Sequence, residues 1–131
     1  DAIITSPPYS FAIDYVDNDR PQLEYLGYDV GSLRNEMIGL KGKTRKEKLS
    51  NYFEDMNQVL KEMARVLKIG KYAVIIIGSN DIQTGGIRLE TKIEELASRH
   101  SFELDQKVLK PIKGIQNTMR DEYILFLRKA K

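Results

Sequence analysis

The sequence predicts an α/β fold built on a mostly parallel sheet with an antiparallel pair of strands at one edge. Strand and helix patterns alternate along most of the 131 residues, which is typical of parallel α/β sheets. Tyr72–Ile77 is a continuous apolar run, the pattern of a parallel strand covered on both faces. The last two strand patterns, 102–109 and 122–127, are separated only by a polar loop, which favours an antiparallel pair.

The first strand and the segment after it differ sharply in pattern. The apolar run Ile3–Thr5 stops at two prolines, which cannot donate hydrogen bonds to a strand ladder. Residues 10–43 then show no sustained period, and we expect a long loop with short helical pieces near 23–26 and 32–38. A connection of this length inside a compact domain is usually functional or disordered.

Two amphipathic helices are expected beyond that loop. Apolar residues over 49–67 recur with helical spacing, and those over 87–100 do so more weakly. Thr44 and Glu47 have the spacing of a capping box, while Ser50 is a second candidate for the N-cap.

Composition excludes several classes of protein. The chain has a net charge of +2 and no cysteine, so it forms no disulfide and no zinc–thiolate site. No apolar run approaches the roughly 20 residues of a membrane span, and no signal peptide is evident. We therefore expect a cytoplasmic protein, and we expect no metal site. Because Asp1 leads directly into an internal strand, we expect the chain to be part of a longer protein.

The most informative motif is the Ser-Pro-Pro corner, residues Ser6–Tyr9. Proline disfavours the α region for the residue before it, so Ser6 and Pro7 are extended and stiff. The motif lies at the carboxyl edge of the predicted sheet, where open α/β folds bind their ligands. A proline-rich turn or a polyproline ligand is the alternative interpretation of the same residues.

The corner resembles the catalytic motif of the S-adenosylmethionine-dependent amino-methyltransferases of nucleic acids. These enzymes carry Asp, Asn or Ser, then Pro-Pro and an aromatic residue, and Thr5 completes the Thr-Ser-Pro-Pro-Tyr form here. Arg65–Lys71 is also similar to the family's helix-to-strand turn. The resemblance implies the second half of a Rossmann-like methyltransferase sheet, from its fourth strand to its seventh, so that residues 1–131 form one partial catalytic domain.

The resemblance assigns roles to particular residues. It implies catalysis by Ser6, Pro7, Pro8 and Tyr9, with S-adenosylmethionine as cofactor and DNA as substrate. Thr5, Ser6 and Pro7 would form only part of the cofactor site, because the family's Gly-rich turn and ribose-binding acid have no match in the chain. That missing half of the catalytic domain is expected elsewhere in the complete protein, and the isolated fragment is expected to be inactive.

The chemistry of the corner suits the methylation of an exocyclic amine. The Ser6 hydroxyl and the Pro7 carbonyl are expected to accept hydrogen bonds from the amine, while Tyr9 stacks on a flipped base. Methylation at C5 of a pyrimidine requires a thiolate, which a chain without cysteine cannot supply. Serine in the first motif position favours N4 of cytosine over N6 of adenine, and restriction–modification is the setting that the resemblance implies.

The insertion, defined as residues 10–48, is expected to face the substrate. Its cationic residues are candidates for phosphate contacts, and three tyrosines are candidates for contacts with bases: Arg20, Lys41, Lys43, Arg45 and Lys46, with Tyr15, Tyr25 and Tyr28. A solvated basic surface leading into a helix is the alternative. Ser79, Asn80 and Asp81 follow the next strand and are expected to form either a substrate-facing group or a plain turn.

Two other functions compete with DNA methylation. The same chemistry on RNA would need no change at the corner, because the base amines are alike. A non-catalytic α/β binding module derived from a methyltransferase is the second alternative, and the missing cofactor motif favours it.

Overall fold

The computed structural model describes residues 1–10, 13–79, 84–111 and 121–131. Its strands are β1 (Ile3–Thr5), β2 (Tyr72–Gly78), β3 (Phe102–Pro111) and β4 (Asp121–Lys129), which form one sheet in the order β1-β2-β4-β3. β1 and β2 are parallel, whereas β4 is antiparallel to both β2 and β3. Three strands therefore run in one direction and β4 runs against them, which confirms the α/β fold and the antiparallel pair at the edge.

Five helices lie in the described part of the chain. They are α1 (Tyr15–Asn18), α2 (Arg20–Tyr25), α3 (Val30–Glu36), α4 (Arg45–Val66) and α5 (Leu89–Ser98). The two long predicted helices correspond to α4 and α5, and the expected helical pieces overlap α2 and α3. α1 has no counterpart in the sequence prediction.

The start of α4 is set by the capping box. The Glu47 backbone N–H donates to Thr44 Oγ1 at 3.2 Å, and the Thr44 backbone N–H donates to Glu47 Oε2 at 3.2 Å. The helix therefore begins at Arg45, and Ser50 is not its N-cap. The Lys43 backbone N–H adds a bond of 2.8 Å to the same carboxylate, which holds the pKa of Glu47 below its ordinary value.

The main core lies on one face of the sheet. Ala73, Ile75 and Ile77 of β2 are buried against α4 and α5, whereas Val74 and Ile76, on the opposite face, are only half-buried. The prediction that β2 is covered on both faces is therefore wrong for the described residues. The reason is that α4 and α5 pack against each other and against the same face of β2.

The insertion folds around a small core of its own rather than as an open loop. Val16, Val30 and Leu40 are buried together, and partly buried side chains of α2 and α3 pack around them. Among the described residues, no helix is long and apolar enough to cross a membrane.

Candidate active site

The strand directions bring three chain segments to one edge of the sheet. β1 ends at Thr5, beside the carboxyl end of β2, because these two strands are parallel and Thr5 pairs with Ile75. β4 runs in the opposite direction, so its first residues lie at this same edge, where Glu122 pairs with Gly78. The Ser-Pro-Pro corner therefore meets a carboxylate from the far end of the chain.

A chain of hydrogen bonds joins Ser6, Tyr9 and Glu122. The Tyr9 hydroxyl donates to Glu122 Oε1 at 2.9 Å, and the Ser6 and Tyr9 hydroxyl oxygens are 3.2 Å apart. Burial raises the pKa of Tyr9, and the neighbouring Glu122 carboxylate raises it further, so Tyr9 keeps its proton. Ser6 itself is exposed, while Tyr9 is partly buried and packs against the main core.

The carbonyl groups of the two prolines differ in their partners. The Pro8 carbonyl accepts a hydrogen bond of 2.8 Å from the Tyr52 hydroxyl of α4. The Pro7 carbonyl accepts no hydrogen bond from any residue that the structure describes. Among the described residues, Tyr52 therefore holds the Pro8 carbonyl, and none holds the Pro7 carbonyl.

Tyr52 is a buried support for the corner. It is fully buried in the main core, and burial raises the pKa of its hydroxyl. A hydrogen bond from the Ser10 backbone opposes that shift, so the hydroxyl interacts with both Pro8 and Ser10. Ser10 adopts a φ of 59°, a left-handed conformation that is uncommon for a residue with a side chain. The Tyr52 hydroxyl thus ties α4 to the turn that follows the two prolines.

A second polar cluster lies between β2 and α5. Ser79 Oγ donates to Glu90 Oε2 at 2.6 Å and accepts from the Leu89 backbone N–H at 2.8 Å. Arg88 Nε donates to Glu90 Oε1 at 2.7 Å, and the guanidinium also lies over the Tyr123 ring. Ser79 is therefore used to connect β2 with α5, while Asn80 and Asp81 lie outside the described residues.

The candidate phosphate-binding residues have different surroundings. Arg20 forms ion pairs with Asp17 at 3.0 Å and Glu24 at 3.7 Å. Lys41 contacts Asp55 at 2.8 Å. Within the described part of the chain, the acidic partners of Arg20 and Lys41 reduce the local positive charge that an approaching phosphate would meet.

The remaining three cations, Lys43, Arg45 and Lys46, are exposed at the start of α4. Of the three tyrosines in the insertion, Tyr25 and Tyr28 are exposed, and Tyr15 at the start of α1 is 41% exposed. Tyr15 is close enough to Tyr9 to contribute to the raised pKa of the Tyr9 hydroxyl.

The residues expected to form part of a cofactor site lie at the end of β1. Thr5, Ser6 and Pro7 line the carboxyl end of β1, and Ser6 offers an exposed hydroxyl there. Gly85 and Gly86 adopt positive φ angles of 66° and 87°. They lie between β2 and α5 and are therefore separate in the chain from the Ser-Pro-Pro corner, which follows β1. In the part of the chain described, no cluster of three or more His, Cys, Asp or Glu residues could hold a metal ion.

The sequence model of the N6/N4 DNA methylases, a family described as DNA methylase, matches residues 1–131. The chain belongs to this DNA methylase family. A search of curated proteins finds no significant match to the methylase chain.

Solved structures show the same fold. A Thermus thermophilus protein provisionally named a DNA modification methylase matches with a TM-score of 0.56 and 18% identity, over 99% of this chain and 44% of that one. Its complex with S-adenosyl-L-methionine matches with a TM-score of 0.51 and 17% identity, over 99% of this chain and 45% of that one. The methylase chain therefore spans less than half the length of the Thermus protein.

Sequence reasoning alone missed three residues of this site. Glu122 and Tyr52 touch the corner, and Glu90 organises the adjoining cluster. Tyr52 follows the apolar period of α4, so its pattern indicates a core residue and gives no sign of the hydroxyl contact. The one local signal for Glu122 is an acid placed at the start of an otherwise apolar strand.

Proposed function

We propose that this chain forms the catalytic corner of a DNA methyltransferase that methylates an exocyclic base amine, with N4 of cytosine favoured over N6 of adenine. The observation that carries the proposal is the pair of oxygen acceptors at the carboxyl edge of β1. Ser6 is exposed there, and the Pro7 carbonyl accepts no hydrogen bond from the described residues. Family membership supports the reaction class.

The corner contributes by orienting the amine. The nitrogen of a base amine is a poor nucleophile because its lone pair is delocalised into the ring. Hydrogen bonds from its two N–H groups to Ser6 Oγ and the Pro7 oxygen favour a tetrahedral nitrogen, whose lone pair is no longer conjugated with the ring. Since the prolines fix both acceptors before the substrate arrives, little reorganisation is needed. When bound, S-adenosylmethionine supplies a methyl group activated by a sulfonium centre.

Tyr9 is proposed to stack on the target base. Its hydroxyl is held by Glu122 and Ser6, so the orientation of the ring is set before any base enters. A base flipped out of a duplex loses its stacking neighbours, and an aromatic platform recovers about 1–3 kcal/mol. Packing of Tyr9 against the core is compatible with this role, because the side chain is only partly buried and part of it remains accessible.

A further segment is proposed to complete the domain and to supply the cofactor motif. In the described chain, β1 pairs with β2 on one side only, and Ile4 of β1 is 75% exposed. Beside this edge, Ile3, Val59, Met63 and Val66 line an apolar groove. An unpaired strand edge beside an apolar surface is suited to pairing with another strand. Thr5, Ser6 and Pro7 would then form one wall of the shared cofactor site.

The insertion is proposed to face the DNA. The exposed rings of Tyr25 and Tyr28, together with the exposed cations at the start of α4, support this placement. Lys43, Arg45 and Lys46 are the better candidates for phosphate contacts, since Arg20 and Lys41 are paired with acids. Restriction–modification is the proposed biological setting.

The test uses the complete methylase that contains this chain. Unmethylated genomic DNA is incubated with the enzyme and S-adenosylmethionine, then digested to nucleosides and analysed by mass spectrometry. We expect N4-methylcytosine, and we expect Ser6→Ala to lower kcat by about 100- to 1,000-fold. Ser50→Ala, at an exposed serine on α4, is the matched control and should retain activity.

Other products would change the proposal in defined ways. N6-methyladenine alone would move the target amine to adenine, and transfer only to RNA would replace the DNA substrate. Absence of transfer to either nucleic acid would refute the proposal and favour a non-catalytic module. Tyr9→Ala should lower turnover more than DNA affinity, and an equal loss of both would contradict the stacking role.

A further inference from the structure

We infer that Glu122 is a positioning residue that orients the Ser6 hydroxyl through Tyr9. This inference rests on the proposed function, because it explains how the amine acceptor is prepared. Glu122 is 113 positions from Tyr9 along the chain and belongs to β4, whereas the corner follows β1.

The direction of each hydrogen bond follows from proton counting. An ionised carboxylate can only accept, so the single proton of the Tyr9 hydroxyl is donated to Glu122 Oε1 at 2.9 Å. The contact of 3.2 Å between Ser6 and Tyr9 then requires Ser6 to be the donor. With its own proton directed at Tyr9, the exposed Ser6 Oγ retains its lone pairs to accept a hydrogen bond from another group.

That orientation decides whether the corner attracts an amine. A base amine approaches with N–H groups, which need an acceptor. If the Ser6 proton pointed outward instead, it would face the N–H groups of the amine. Glu122 therefore determines which of the two states the serine hydroxyl adopts, although it does not touch the site of the substrate.

The surroundings of Glu122 hold its side chain in place. Its side chain is only 18% exposed, and a carboxylate removed from water needs hydrogen bonds or a counter-charge. Tyr9 supplies the hydrogen bond to Oε1, and Lys110 Nζ lies 3.5 Å from Oε2. The pairing of Glu122 with Gly78 in the β2–β4 ladder fixes the position of Glu122 along the strands, at the edge of the sheet where the corner lies.

Two substitutions separate this role from simple packing. Tyr9→Phe retains the ring for stacking and removes the hydroxyl that links Ser6 to Glu122. Glu122→Gln retains the size of the side chain, but its amide group can either donate to or accept from Tyr9. The tyrosine proton is then free to turn toward Ser6, and the serine proton toward the substrate.

The experiment is a double-mutant cycle for methyl transfer in the complete methylase. We expect Tyr9→Phe and Glu122→Gln each to lower kcat by about tenfold, with KM for DNA changed less than about twofold. The double variant should be no slower than Tyr9→Phe alone, because Glu122 acts only through the tyrosine hydroxyl. Glu103→Gln, which breaks an exposed cross-strand ion pair with Arg128 on the β3–β4 ladder, is the matched control and should retain the wild-type kcat.

The outcomes distinguish this inference from the proposed function. A wild-type kcat for Glu122→Gln, or multiplicative losses in the double variant, would overturn the positioning role while leaving methyl transfer established. A wild-type enzyme without activity, or an unaffected Ser6→Ala variant, would overturn the proposed function and with it this inference. If Glu122→Gln fails to fold, the kcat of the nearly isosteric Tyr9→Phe decides the question, since a wild-type value contradicts the hydroxyl relay.

Discussion

Replacing Tyr52 with phenylalanine removes one hydroxyl group from beneath the Ser-Pro-Pro corner. The ring is fully buried, and it packs edge-on against Phe53 with 5.5 Å between ring centroids. Those ring contacts remain in the variant. What is lost is the hydrogen bond of 2.8 Å to the Pro8 carbonyl and the interaction with the Ser10 backbone.

The magnitude follows from what the carbonyl does without its partner. An ordinary intramolecular hydrogen bond contributes about 0.5–1.5 kcal/mol, but an acceptor left unsatisfied away from water costs about 1–3 kcal/mol. Pro8 is only half-buried, so water can reach part of the carbonyl. We therefore expect the free energy of unfolding to fall by about 1–2 kcal/mol.

Urea denaturation of the full-length protein measures this loss as a lower midpoint at an unchanged slope. The matched control is Tyr72→Phe, which removes an exposed hydroxyl bonded to Asp105 at 3.0 Å. That control should change the free energy of unfolding by less than about 0.5 kcal/mol. Because the corner also loses a support, kcat for methyl transfer should fall in Tyr52→Phe and not in Tyr72→Phe.

Equal midpoints for the two phenylalanine variants would refute the reasoning, because burial would then have no bearing on the hydroxyl. A lower midpoint for Tyr52→Phe with a wild-type kcat would restrict Tyr52 to stability. In that case the corner would be held by the prolines alone.

Two further predictions concern charge. Burial opposes ionisation of Glu90, but hydrogen bonds from Ser79, from its own backbone and from Arg88 hold the pKa of the carboxyl below its ordinary value. The stabilisation by ionised Glu90 is therefore complete above the ordinary carboxyl pKa and is lost as the pH falls through the lowered pKa. Glu90→Gln should lower the free energy of unfolding by about 1–3 kcal/mol at pH 7. The difference in that free energy between wild type and variant should narrow below about pH 4.5. The double variant Lys43→Ala/Arg45→Ala should reduce the slope of log K for DNA binding against log salt concentration by about 2.

Each of these predictions has a contradicting result. A difference between wild type and Glu90→Gln that stays constant from pH 7 to about pH 3 would show that the carboxylate contributes no ionised stabilisation. An unchanged salt slope would remove Lys43 and Arg45 from the proposed DNA surface. Arg20→Ala is the control for the second test, and it should leave the slope unchanged because Asp17 and Glu24 already pair with Arg20.

Several elements of the fold could be predicted because their causes are local. The capping box joins Thr44 to Glu47, which are three residues apart, and the apolar period of α4 repeats within each turn of the helix. β2 was recognisable from its unbroken apolar run. By contrast, α1 has four residues and too short a pattern to detect, and its buried Val16 depends on contacts with the rest of the insertion.

The one-sided core could not be predicted for a different reason. Val74 and Ile76 have the same apolar character as Ile75 and Ile77, so composition assigns both faces of β2 to the interior. Which face is covered depends on where α4 and α5 pack, and both lie against Ile75 and Ile77. The half-exposed face supports the proposal that a further segment completes the domain.

The sequence by itself determined the stiffness of the Ser-Pro-Pro corner, because proline restricts its own backbone and that of the residue before it wherever the chain folds. Only the tertiary structure decided what holds the corner. Tyr52 lies 44 residues from Pro8, and Glu122 lies 113 residues from Tyr9, so no local pattern links either pair. The contacts arise because α4 packs beneath β1, and because antiparallel β4 begins at the edge where parallel β1 and β2 end.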